Sequence, residues 1–166
     1  MKKSLSHSES CSYSLHRSSP SFLLAQVGAH AASQFAKRLR KLNLAPQHAG
    51  ILRVLNSTPG ITQQALATTL GMVASRLVVL VDEMEERGLI ERQGNPQDRR
   101  RYALHVTQKG RSALEAIRRI SREHSQALLA AISEDEQRQL ANLLQRIADQ
   151  QGLTRGVHPG YRDRSE

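Results

Sequence analysis

The sequence predicts a mainly α-helical protein with one short β-hairpin set between its helices. Three observations predict it. Apolar residues recur at a three-to-four spacing in separate stretches from Ser21 to Gln151. One pair of alternating segments, 89–93 and 102–106, flanks the turn-forming run Gly94-Asn95-Pro96-Gln97-Asp98. The breakers Thr58-Pro59-Gly60, Gly71 and Gly88 cut the middle of the chain into short pieces.

In chain order, residues 1–19 hold eight serines and almost no apolar side chain, the composition of a disordered arm. Residues 21–42 place Leu24, Val27, Ala31, Phe35, Leu39 and Leu42 on one helical face. They end in Lys37-Arg38-Leu39-Arg40-Lys41, cationic residues that suit a helix C-terminus. Pro46 fits the first position of a second helix, which runs to about Leu55 with Ile51, Leu52, Val54 and Leu55 as its core. Thr62 can cap a short helix over 63–70, and Gly71 ends it. The next helix, 73–87, carries Leu77, Leu80, Val81 and Met84 on one face and stops at Gly88. Two short helices around a tight glycine turn form a helix-turn-helix. The hairpin that follows, with Arg99, Arg100 and Arg101 in its connection, has the form of a wing beside it. Thr107 then caps a long helix, 108–132, with Leu114, Ile117, His124, Leu128 and Ile132 near one face. Ser133 and Glu136 have capping-box spacing and open a last helix striped by Leu140, Leu143, Leu144 and Ile147.

The fold class is therefore a winged helix-turn-helix with long N- and C-terminal helices. A DNA-binding lobe is expected at about 46–107, and dimerisation helices at about 21–42 and 108–151. The terminal helices have apolar faces that a single lobe cannot cover, so they imply a homodimer. Residues 152–166 are expected to be a flexible tail, because Gly and Pro break their periodicity and nothing pairs with them.

Composition narrows the function. Among 166 residues, 39% are hydrophobic and 23% charged, too apolar for full disorder. The formal net charge of +9 points to a polyanion. That charge is not spread evenly: residues 21–60 hold five basic residues and no acidic one, whereas residues 61–107 hold six of each. No apolar run approaches a membrane span, and Lys2-Lys3 lead into serines rather than a signal-peptide core. The single Cys11 allows no intrachain disulfide and fits a reducing cytoplasm. With no Trp and few aromatics, base-stacking single-strand binders are disfavoured. Enzyme signatures are missing: there is no Gly-rich phosphate loop, no G-x-S-x-G and no H-E-x-x-H. No cofactor is called for. A metal site could be assembled only in three dimensions, from His30, His48, His105 and His124.

One stretch resembles a known family. Leu70-Gly71, then Leu80-Val81-Asp82-Glu83-Met84-Glu85-Glu86-Arg87-Gly88-Leu89-Ile90-Glu91-Arg92, then Asp98-Arg99-Arg100, then Val106-Thr107-Gln108-Lys109-Gly110 are similar to the MarR family of winged-helix transcriptional regulators. The resemblance implies a homodimer on a palindromic duplex operator, with the second helix of the motif in the major groove. It implies that Arg100, supported by Asp98 in the wing, enters the adjacent minor groove. It also implies a small phenolic or aromatic acid as effector near the junction of the lobes. His30 and His48 are the polar groups expected to hold such an acid. The chain departs from the family at the reading helix. Val73, Ala74, Val78 and Val79 stand where polar residues are usual, leaving Ser75 and Arg76 as the polar readers. Ser21 stands where a peroxide-sensing subgroup has cysteine.

The expected function is a ligand-responsive repressor. Ser75, Arg76, Val78, Val79, Arg99, Arg100 and Arg101 are its expected DNA contacts. Two alternatives are a winged protein-interaction module with weakened DNA specificity and a metal-responsive regulator.

Overall fold

The computed structural model describes residues 19–95, 98–158 and 161, and only the backbone of Asn95 and of 98–101. The arm with Cys11, His7 and His16 lies outside the described residues. The elements are α1 (Pro20–Arg40), α2 (Pro46–Ser57), β1 (Ile61–Thr62), α3 (Gln63–Leu70), α4 (Ala74–Glu86), β2 (Ile90–Asn95), β3 (Asp98–Val106), α5 (Gln108–Leu128) and α6 (Glu134–Gln150).

The caps set the boundaries. Ser19 accepts a hydrogen bond from the Phe22 amide at the start of α1, and Thr62 does the same for Ala65 in α3, both at 3.2 Å. Gly71, at φ 63°, ends α3 in the left-handed conformation that a side chain would resist. Thr107 caps α5 through the Gly110 amide at 3.0 Å. Ser133 and Glu136 form a reciprocal capping box on α6. The expected extension of α5 to Ile132 does not occur. The helix stops at Leu128, because Gln137 turns its side-chain amide back to the carbonyls of Leu129 and Ile132 and satisfies them outside a helix.

The sheet has one strand more than the sequence suggested. Its order is β1-β3-β2, all antiparallel, with Ile61 opposite Leu104 and Ile90 opposite Val106. Two residues are too few to show an alternating pattern, so β1 was not legible. Leu39, Ile51, Leu52, Leu55, Leu66, Leu70, Leu77, Val81, Met84, Ile90 and Leu104 are fully buried and form the core of the winged lobe. At its edge Gly110 is indispensable on space alone. A β-carbon there would stand 2.0 Å from the Leu89 carbonyl oxygen.

The C-terminal segment differs from expectation. After α6 the chain reverses at Gly152, where Leu153 donates to the Ala148 carbonyl at 2.9 Å. Val157 packs against the core and Tyr161 is 8% exposed. Within the expected tail, residues 152–156 and 158 are exposed, and Val157 and Tyr161 are the side chains seated on the folded lobe. A single tyrosine, not a periodic stripe, provides the docking, and periodicity does not report that. By contrast, Phe22, Leu23, Leu24 and Val27 on α1 and Leu143, Leu144 and Ile147 on α6 remain exposed. Among the described residues no single helix is long and apolar enough to cross a membrane.

Candidate nucleic-acid interface

Helices α3 and α4 meet at 114°, within the range of a helix-turn-helix. Leu77, Val81 and Met84 are completely buried, which fixes the rotation of α4 about its axis. Val73, Val78 and Val79 are consequently 50%, 39% and 65% exposed. Ala74 and Ser75 are exposed with them, and Arg76 is half-buried at the margin. Val78 and Val79 are thus part of the outer face and not packing against a neighbouring helix. Exposed valines cannot hydrogen-bond, but they can pack on thymine methyl groups, and Arg76 and Ser75 supply the polar chemistry.

The acidic C-terminal half of α4 is held by cations of the protein. The Arg92 guanidinium, on β2, donates to Asp82 and to Glu85 and reaches Gln63 of α3 at 3.4 Å, and the Arg92 amide donates to Glu85 at 3.0 Å. One side chain therefore ties both helices of the motif to the first strand of the wing. Glu83 pairs with Arg87 at 3.0 Å and stands 3.3 Å from His48 Nε2. Lys109 and Thr107 donate to the carbonyls of Arg87 and Gly88, each at 2.7 Å, closing the link from α4 to α5. Sequence reasoning gave Arg92 no role beyond its place in the family-like stretch. The available signal was a cation on a strand that follows a helix end with four carboxylates, Asp82, Glu83, Glu85 and Glu86.

The wing hairpin is formed by β2 and β3, with Gly94 opposite Tyr102 and Asn95 opposite Asp98 across a register irregularity. Asp98 pairs with Asn95, and Arg99, Arg100 and Arg101 lie in β3 between that pair and the Gly94–Tyr102 pair. Their side chains, and with them the expected wing contacts, lie outside the described residues.

His48 is a structural residue. Its Nδ1 accepts the Ala45 amide at 3.1 Å, at the third position of α2, so the Nε2 proton faces Glu83. Burial holds its pKa below the ordinary 6.5; the Glu83 charge works against this and Arg87 adds to it. His30 is elsewhere, beside Gln34, Arg38 and His124 around a hollow of about 370 Å³ between α1 and α5. The His124 ring lies 5.6 Å from that of Phe35. The two histidines expected to share an effector do not meet. His105 stands apart from both, against Gly60. Among the described residues no cluster of three or more His, Cys, Asp or Glu is placed to hold a metal.

The cavity between the lobes has different walls. It measures about 320 Å³ and lies between α2, α5 and the C-terminal segment, with Arg53 and Asn56 on one side, Arg118 and Ser121 on another, and Phe35 and Tyr161 among its apolar boundaries. Arg118 pairs with Glu115, so Arg53 is the guanidinium that suits a small anion with a hydrophobic body at this mostly apolar hollow. Neither Arg53 nor Arg118 stood out in the sequence, because each sits on a helix among core residues where a cation reads as surface.

Known proteins share this arrangement. A family model described as MarR family matches residues 42–101. A Thauera aromatica protein named "Putative transcriptional regulatory protein for hcr operon" is 37% identical over 125 residues, 75% of this chain and 75% of that one. Among solved structures, the transcriptional repressor CouR bound to a 23-mer DNA duplex matches with a TM-score of 0.70 at 27% identity, over 88% of this chain and 99% of that one. CouR from Rhodococcus jostii RHA1 bound to p-coumaroyl-CoA matches with a TM-score of 0.65 at 29% identity, over 80% of this chain and 93% of that one.

Proposed function

Because the chain belongs to the MarR family and is a DNA-binding transcriptional regulator of that type, we propose that it represses its target as a homodimer on a palindromic operator and is released by a small aromatic or phenolic acid. One observation carries the reading. The outer face of α4 is open over its N-terminal half, while in its C-terminal half Asp82 and Glu85 are paired with Arg92 and Glu83 with Arg87. A helix so arranged can approach a phosphate backbone by its N-terminal end without repulsion from its own carboxylates.

Dimerisation would cover the exposed apolar residues of α1 and α6, and two-fold symmetry would present two copies of α4 to successive major grooves, about 34 Å apart. Arg100 would enter the minor groove beside each half-site, with Arg99 and Arg101 nearer phosphates. The effector would take the cavity between α2 and α5, its carboxylate on Arg53. That is a revision of the His30 and His48 expectation. CouR, a relative in fold, binds an aromatic thioester, which supports an aromatic effector here.

The test is fluorescence anisotropy of purified protein on duplex DNA from upstream of its own gene, with and without a panel of aromatic acids. The expected result is tight binding, weakened about 100-fold by one member of the panel; that requires ~2.7 kcal/mol of differential affinity for the two states. No binding to any duplex at low salt contradicts the regulator; binding indifferent to every acid contradicts the effector.

A further inference from the structure

We propose that the C-terminal segment carrying Gly156, Val157, His158 and Tyr161 is a working wall of the effector site, a strap from α6 to α2 that encloses the acid. This rests on the effector reading above and adds to it residues specific to this chain.

Four contacts show a fitted seat. The Tyr161 hydroxyl donates to the Pro46 carbonyl at 2.8 Å, bridging 115 residues of sequence. Its ring lies over Gly50, where a β-carbon would stand 2.7 Å from the ring carbon Cε2. Gly50 is in the interior of α2 and does not have a positive φ, so no backbone conformation requires glycine there; the ring does. Gly156, at φ 71°, passes Arg53 so closely that a β-carbon would be 3.1 Å from the guanidinium. His158 stands 5.7 Å from the Tyr161 ring and accepts the Tyr161 amide at 3.0 Å.

The seated strap leaves the 320 Å³ cavity open beside it, lined by Gly156, His158 and Tyr161 opposite Arg53 and Arg118. An aromatic acid fits such a volume. Removing the strap would take away the wall made by Gly156, His158 and Tyr161, and with it the apolar contact an aromatic ring would make with Tyr161. The strap therefore raises affinity for an aromatic carboxylate by adding that wall, and does not compete for its place.

The test uses benzoate and 4-hydroxybenzoate as probes, by calorimetry, on the full chain, on a chain ending at Arg155, and on Gly50→Ala. Both altered proteins should bind the acids at least tenfold more weakly, with operator affinity unchanged in the absence of acid. Hydrogen exchange without ligand judges the seat alone: the amides of Val157 and Tyr161 should exchange faster in Gly50→Ala. Equal binding by the full and shortened chains overturns the proposal, and tighter binding by the shortened chain makes the strap a plug and overturns it as well. If the full chain binds neither acid although the exchange data show a seated strap, the effector reading fails and the strap's role fails with it.

Discussion

His48→Gln isolates how the DNA-binding lobe is pinned. The imidazole does two things at once: it accepts the Ala45 amide and it fills a buried site beneath Glu83. Truncation to alanine would remove the acceptor for an orphan helix amide, ~1 kcal/mol, and leave a hole worth ~1 kcal/mol or more. The sum, about 2 kcal/mol, corresponds to roughly 4–8 °C in melting temperature for a chain of this size. Glutamine at the third helical position keeps the acceptor in the usual capping-box geometry, so its loss should be about half as large. The pH dependence separates the two further. Burial places the folded pKa of His48 below 6.5, so the unfolded chain takes up the proton first as pH falls. Stability from this group is therefore complete above about pH 6.5 and declines as pH drops through and below that value toward the folded pKa. His124, whose pKa is lowered by burial and by Arg38 and His30, acts in the same direction in both proteins and cancels in the comparison. Urea titrations at pH 7.5 and pH 5.5, at one fixed protein concentration, should show a larger acid-side loss for the wild type than for His48→Gln. Equal losses would mean that His48 is not held neutral in the native protein.

Three further outcomes are expected, the first two from the geometry and the third from the proposed wing contacts. Gly110→Ala drives a β-carbon into the Leu89 carbonyl oxygen, a backbone atom that cannot swing away, so a loss of ~3 kcal/mol or more and little soluble protein are expected on expression. Arg92→Ala frees Asp82 and Glu85 on the reading helix. Both are partly solvated, so the stability loss should be only ~1–2 kcal/mol by denaturant titration, while operator affinity should fall at least tenfold in anisotropy. Arg100→Ala should weaken operator binding and relax preference for A·T flanks, whereas Arg99→Ala should mainly lower the salt slope, by about one unit, in binding measured across a salt series.

Much of the fold is legible because the signals are local. Thr62, Gly71, Thr107 and the Ser133–Glu136 pair each announce a helix end from a few neighbouring residues, and the structure uses all of them. The buried face of α4 follows from the spacing of Leu77, Val81 and Met84. What is not legible depends on partners far apart in sequence. Tyr161 needs the missing side chain of Gly50, Arg92 needs carboxylates on another element, and β1 needs β3 to define it. His48 misleads for a different reason. A histidine on an apolar helix face has two nitrogens to satisfy, and the local amide of Ala45 takes one before any ligand could. The cavity cations Arg53 and Arg118 are ordinary surface residues in one dimension and meet only when α2 and α5 pack.

Selection of binding sites from a random duplex pool tests the central claim most directly, since it assumes no operator. The sparse polar chemistry of α4, with Val73, Val78 and Val79 outward and Arg76 and Ser75 beside them, should enrich an inverted repeat. Its half-sites should lie about 10 base pairs apart centre to centre. Each should hold several thymines and at most one strongly required G·C pair, and the Arg76→Ala protein should no longer demand that pair. A pool that stays random after repeated rounds, or an enriched site without two-fold symmetry, would contradict a dimeric repressor that reads DNA through α4.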